Sequence, residues 1–187
     1  MPRRHIQKLI LICSLALGLN SVHAASQADL VAALPNSKLT LEDGIRQAAS
    51  DGGVAISAKF EFDDAGKLSL SVYSAKKGLS VPATENVLEE LAGSPEQSAW
   101  KPEVEVFKDA PHIARSSEQL ALLSRTRLTL VDFIGKAQAV QPGTVFSISP
   151  NVNQHKSVAV VLVANGGKVV ELTYNLMDGK LLKTNPL

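Results

Sequence analysis

The sequence predicts an α+β protein made of two tandem repeats, each a helix with a short leading helix packed on a three-stranded antiparallel sheet. Three observations predict it. SKLTLEDGIRQA, starting at Ser37, returns as TRLTLVDFIGKA, starting at Thr126. Each copy is followed by segments in which apolar and polar residues alternate, the pattern of strands with one buried face. Between those segments stand Asp, Asn and Gly clusters that turn a chain.

Residues 1–24 read as a secretory signal peptide. Arg3, Arg4 and Lys8 make a basic start, and Leu9 to Leu19 is an apolar run well short of the roughly 20 residues a membrane helix needs. Val22-His23-Ala24 supplies a cleavage site, so the mature chain is expected from about Ala25. Cys13 does not suit lipidation, because Ile12 precedes it where a small residue is wanted. Arg3-Arg4 also resembles a twin-arginine start, but the general export route fits better, since nothing downstream looks like a cofactor site. The expected location is the periplasm of a Gram-negative cell, or the exterior.

A short leading helix opens each repeat, with Ser26 or Ser116 available as its cap. Leu39, Thr40, Leu41, Asp43, Ile45 and Ala48 are then matched in order by Leu128, Thr129, Leu130, Asp132, Ile134 and Ala137. Thr40 with Asp43, and Thr129 with Asp132, form the threonine-to-acid pattern that caps a helix start. Leu41, Ile45 and Ala48 fall on one helical face, as do their counterparts. Gly52-Gly53 and Pro142-Gly143 end the two helices.

In the first repeat, Ile56, Ala58, Phe60 and Phe62 alternate with Ser57, Lys59 and Glu61, predicting a half-buried strand. Asp63 to Gly66 turns the chain, and Leu68, Leu70 and Val72 alternate again as the second arm of a hairpin. An inserted helix is expected at about 82–92, with Pro82 at its start and Gly93 after its end. KPEVEVFK, Lys101 to Lys108, then reads as a displaced third strand. In the second repeat Phe146, Ile148 and Val152 lie on one face of a first strand, Val158, Val160 and Leu162 on one face of the next, and Val170, Leu172, Tyr174 and Leu176 on one face of a third. Asn165-Gly166 joins the last two, and Asp178-Gly179 leads the chain out of the sheet. The expected organisation is signal peptide 1–24, first repeat 25–111 and second repeat 112–187.

Cys13 is the only cysteine, so the mature chain has no disulfide, thiol nucleophile or cysteine metal ligand. Its roughly 163 residues must be held by burial, which for that size covers about 70% of the unfolded surface. Loss of Arg3, Arg4 and Lys8 leaves the basic residues slightly outnumbered by the 18 acidic ones. That charge argues against nucleic acid as a partner.

LTLEDGIRQA, LTLVDFIGKA and the ending VVELTYNLMDGKLL resemble the PepSY domain family, in which a capped helix precedes a three-stranded sheet closed by an aspartate-glycine turn. The resemblance covers nearly the whole mature chain as two copies. KPEVEVFKDAPH departs from it in lacking the closing turn, and Gly44 stands where alanine is usual. The resemblance implies a non-catalytic binding module of the kind proposed to inhibit proteases. It brings no catalytic residues.

The residues themselves point the same way. His112 and His155 stand apart with no second histidine at ligand spacing, and Asp63-Asp64 lacks the pattern of a calcium loop. No serine sits in a nucleophile elbow, and no glycine-rich phosphate loop follows a strand. No enzyme, metal or cofactor is expected. The expectation is a binding protein that regulates or inhibits another exported protein, a protease or other hydrolase, through strand addition or the inserted segment. Candidate contact residues are Tyr73, which points off the apolar side of its strand, and Trp100, Lys101 and Phe107 of the segment where the repeats differ. A second expectation is a small-molecule or lipid carrier with an apolar cleft between the repeats. Ala159, Val161 and Val163 are too apolar for water, and are either covered by the rest of the chain or form a partner surface.

Overall fold

The computed structural model describes residues 26–50 and 52–187; the expected signal peptide lies outside them. Helix α1 spans Gln27–Ala33, a single 3-10 turn Leu34–Asn36, and α2 Leu41–Ala48. Strands β1 (Val54–Phe62), β2 (Leu68–Ala75), β3 (Leu88–Gly93) and β4 (Glu103–Val106) follow. The second half repeats the order with α3 (Ala110–Leu123), α4 (Leu130–Val140), β5 (Thr144–Asn153), β6 (Lys156–Asn165), β7 (Lys168–Asn175) and β8 (Leu181–Pro186).

All eight strands form one antiparallel sheet in the order β4-β3-β2-β1-β5-β6-β7-β8. This corrects the expectation of two units with three strands each. Each half supplies four strands, and β1 pairs with β5 through Ala58↔Ile148 and Lys59↔Ser147. Two local readings caused the error. Residues 82–92 are not an inserted helix: Pro82 to Asn86 turn the chain, and Leu88–Gly93 is β3, paired along its length with β2. Asp178-Gly179 does not lead the chain away; it reverses it into β8, which pairs with β7 from Val170↔Pro186 to Tyr174↔Leu181. The boundary expected at 111/112 falls inside α3.

Directly paired residues share a face of the sheet. One row therefore crosses all eight strands: Val104, Leu91, Val72, Ala58, Ile148, Val161, Leu172 and Thr184. Val72, Ile148, Val161 and Leu172 have no exposed surface, while Val104 at one edge is 57% exposed. The core is thus deepest at the centre of the sheet and thins to both edges. Helices α2 and α4 lie on this apolar face, α2 over β1 and β2 and α4 over β5 and β6. Gly44 lets α2 approach closely, since a Cβ there would lie 2.6 Å from a Leu70 methyl. Phe133 of α4 instead fills the gap to Tyr174, ring centres 6.0 Å apart.

The face of β6 is the reverse of the one expected. Ala159, Val161 and Val163 are fully buried against the helix layer, while Val160 and Leu162 are half-buried on the other face. VAVVLVA is apolar on both sides, so alternation cannot orient it.

Both core helices start as anticipated. Thr40 Oγ1 accepts from Asp43 N (3.1 Å) while Thr40 N donates to Asp43 Oδ2 (2.8 Å); Thr129 and Asp132 repeat the exchange at 3.2 and 2.7 Å. Each such cap stabilises its helix by about 1 kcal/mol. Helix α1 is capped the same way by Ser26 and Asp29. Helix α3 is longer than expected: Asp109 caps it, and Ser116 is buried in its middle.

Candidate functional site

The second face of the sheet carries the polar set of the alternation. Ser57 is opposite Tyr73, Lys59 opposite Ser71 and Ser147, and Glu61 opposite Ser69. Helix α3 crosses this face, touching β5, β1, β2 and β3. Its Gln119 Oε1 accepts from Ser57 Oγ at 2.9 Å, and both side chains are buried. Beside that contact, at the β1/β5 join, lies an open cleft of about 450 Å3. Ser57, Lys59 and Tyr73 line one wall, Ser147, Ser149 and Asn151 the other, and Arg115, Glu118 and Gln119 of α3 the roof.

Lys59 is the central charge. Its Nζ lies 2.5 Å from Glu61 Oε2 and 5.6 Å from the Tyr73 ring centre, and Ser71 Oγ donates to Glu61 Oε1 at 2.6 Å. Burial works to lower the Lys59 pKa, but the hydrogen bond and charge of Glu61 outweigh it, and the value ends above the ordinary 10.5. Burial raises Tyr73 above 10.0 against the pull of Lys59, with Glu90 and Glu61 adding to the rise. At neutral pH the cleft therefore presents a fixed ammonium and a neutral phenol.

An aromatic ladder leads away from the cleft. The Tyr73 ring is 5.5 Å from Phe107, and Phe107 stacks on His112 at 5.0 Å. The His112 Nδ1 is 2.8 Å from Asp109, the cap of α3. The ladder sets the start of α3 over β2 and β3.

The four residues singled out from sequence separate. Tyr73 and Phe107 meet in the ladder, with Tyr73 half-buried at the cleft and Phe107 buried. Trp100 is 5% exposed and lies by α2: Gln47 Nε2 donates to its carbonyl (2.9 Å), and its indole N–H donates to Gly93 O (3.3 Å). Trp100 is thus a core anchor of the β3–β4 connection. Lys101 is exposed beside β4, near Glu103 and Glu105. Ser57, Lys59, Arg115 and Gln119 were not anticipated. Ser57 and Lys59 alternate with apolar neighbours as a solvent face would, and only α3 distinguishes the two cases.

Among the described residues, no group of three or more His, Cys, Asp or Glu side chains is placed to hold a metal ion. No helix there is long and apolar enough to cross a membrane. No family model matches the chain, and no curated protein matches it. Among solved structures, a crystal structure of a candidate lipoprotein from Clostridium difficile 630 is similar at 14% identity, covering 81% of this chain and 95% of that one with a TM-score of 0.39.

Proposed function

We propose that this is an exported, non-catalytic binding protein that captures an extended segment of another exported protein along β4. A protease or other hydrolase is the partner that the PepSY-like resemblance favours, with capture regulating or inhibiting it. One observation carries the reading. Strand β4 is an edge strand, exposed along its whole length, with Val104 57% and Val106 45% exposed. Folded proteins blunt such edges, because unpaired N–H and C=O groups beside apolar side chains recruit another strand. At the opposite edge, β8 carries Lys183 and ends at Pro186, both of which discourage pairing.

The chemistry of the captured segment follows from β4 and its neighbour. Val104 and Val106 face one side, while Glu103, Glu105 and Glu90 face the other. A strand alternating apolar and basic residues complements both faces. Two groups of the central cleft support a binding role: the Ser57 hydroxyl donates to an amide oxygen, which cannot take up its proton, and Lys59 is held charged by Glu61.

The test compares partners retained from periplasmic extract by the wild type and by Val104→Pro. Proline removes one backbone donor from the edge and leaves the buried core untouched. The expected result is loss of specific partners from the variant, with unchanged thermal unfolding. Retention of the same set would show that β4 is not the capture site.

A further inference from the structure

The two halves build a matched pair of grooves on the helix side, and the pair has diverged. In one, the segment from Leu34 to Glu42 faces Ile134, Gln138 and Thr144, enclosing about 340 Å3. In the other, the segment from Leu123 to Asp132 faces Ile45, Ala49 and Val54, enclosing about 450 Å3. The scaffold is shared, with Leu39, Thr40 and Leu41 in the first answering Leu128, Thr129 and Leu130 in the second. The lining is not. Where the first groove has Glu42, Gln138 and Thr144, the second has Val131, Ala49 and Val54. Three polar positions have become apolar, yet the basic position is kept, Lys38 answering Arg127.

The second groove also gains a wall that the first lacks. Leu79, half-buried, comes from the long β2–β3 connection. Asn86 pins that connection, its Nδ2 donating to Gly78 O (2.9 Å) and Val81 O (3.0 Å) while its Oδ1 accepts from Lys77 N (2.9 Å). The corresponding β6–β7 turn is only Gly166-Gly167. Arg127 at the rim is exposed and has no ion pair among the described residues, whereas Arg46 is bound by Glu42. Asp132, which lines the same groove, is engaged by Thr129 in the α4 cap.

We infer that this groove binds a single-chain fatty carboxylate, its hydrocarbon tail on the floor formed by Ile45, Leu79, Leu128 and Val131 and its carboxylate on Arg127. The volume suits a small elongated ligand, and a guanidinium with no ion pair among the described residues, beside an apolar floor, selects an anionic amphiphile over a cationic or uncharged one. This inference is independent of capture at β4.

The test titrates dodecanoate, dodecanol and dodecyltrimethylammonium into protein expressed from the full-length sequence, followed by calorimetry. Dodecanoate is expected to bind saturably below the concentration at which it forms micelles, about fivefold tighter than dodecanol. Arg127→Gln should erase the preference for carboxylate over alcohol. Val131→Glu, which installs the residue found in the polar groove, should weaken dodecanoate at least tenfold, because the tail would then cover an unpaired charge. Should that variant not fold, Ala49→Gln, at the exposed residue that caps the end of α2, reads the same effect. Lys38→Gln in the other groove should change nothing. Equal or tighter binding of the trimethylammonium, absence of saturable binding, or indifference to both groove substitutions overturns the inference. Val104→Pro should leave dodecanoate binding intact, which separates failure here from failure of the β4 reading.

Discussion

Replacing Gly143 by alanine puts the start of β5 to a quantitative test. Gly143 has φ near +143°, a conformation that side chains rarely adopt. A Cβ there would lie 2.3 Å from the carbonyl oxygen of Ala164 and 3.0 Å from a Val163 methyl. That carbonyl cannot retreat freely, because Ala164 is paired with Thr144 in the β5–β6 ladder. The strained φ costs about 1–3 kcal/mol and the overlap about 1–3 kcal/mol more, so Gly143→Ala is expected to lose about 2–6 kcal/mol. For a domain of this size the thermal midpoint should fall by about 4–24 °C. Gly53 supplies the control. It holds the same place before β1, but an added Cβ would meet nothing nearer than 3.4 Å. Gly53→Ala should be near neutral, or stabilising by up to about 1 kcal/mol through the unfolded chain. Urea unfolding followed by Trp100 fluorescence measures both. A loss below about 1 kcal/mol in Gly143→Ala, or an equal loss in both variants, would refute the argument from close approach.

Three further expectations concern local structure. The β5–β6 hairpin turns at Gln154 and His155, with φ of 48° and 64°, so the double change Gln154→Asn and His155→Gly should add about 1 kcal/mol, read from the urea midpoint. Asp43 is held below 3.8 chiefly by the Thr40 hydroxyl, and Asp132 chiefly by the Thr129 backbone N–H. A depressed carboxyl stabilises the fold above its unfolded value and loses that contribution as pH falls through the folded one. Thr40→Val and Thr129→Val should therefore each lose about 1 kcal/mol at pH 7, and the shallower loss of stability below about pH 4 should be more marked in Thr40→Val, because valine at 129 keeps the backbone N–H that chiefly holds Asp132. Trp100 should emit as a buried indole resistant to acrylamide, and Trp100→Ala should cost about 3–5 kcal/mol in unfolding rather than selectively abolish partner capture.

The elements legible in the sequence were those with local causes. Thr40, Asp43, Thr129 and Asp132 fall at the spacing that a capping box needs, so both core helices could be placed from residues alone. Asp63 accepts from Ala65 N and Lys67 N in the turn its neighbours suggested. What failed depended on distant partners. LEELAG is rich in helix formers, yet it is β3, because Leu91 pairs with Val72 and Glu90 with Tyr73 along the outer side of β2. β8 follows a tight turn and consists largely of exposed residues, so no apolar face marked it as part of the sheet. The candidate sites divide in the same way. Tyr73 stood out by alternation, but burial of Ser57 and the surroundings of Lys59 depend on α3, whose path across the sheet is not written in either strand. The divergence between Glu42 and Val131 was visible as a difference; only their positions in two matched grooves give it a meaning.

The central β1–β5 pairing has a consequence for assembly. Every other pair in the sheet joins strands that are consecutive in the chain, so each half can form its ladder through short-range closures. β1 and β5 must find each other across the intervening β2, β3, β4, α3 and α4. That single long-range closure is the step expected to limit folding, and β5 of a second molecule offers β1 the same partner surface. At high concentration the two routes compete, and reciprocal exchange of halves between chains is the misassembly this topology makes available.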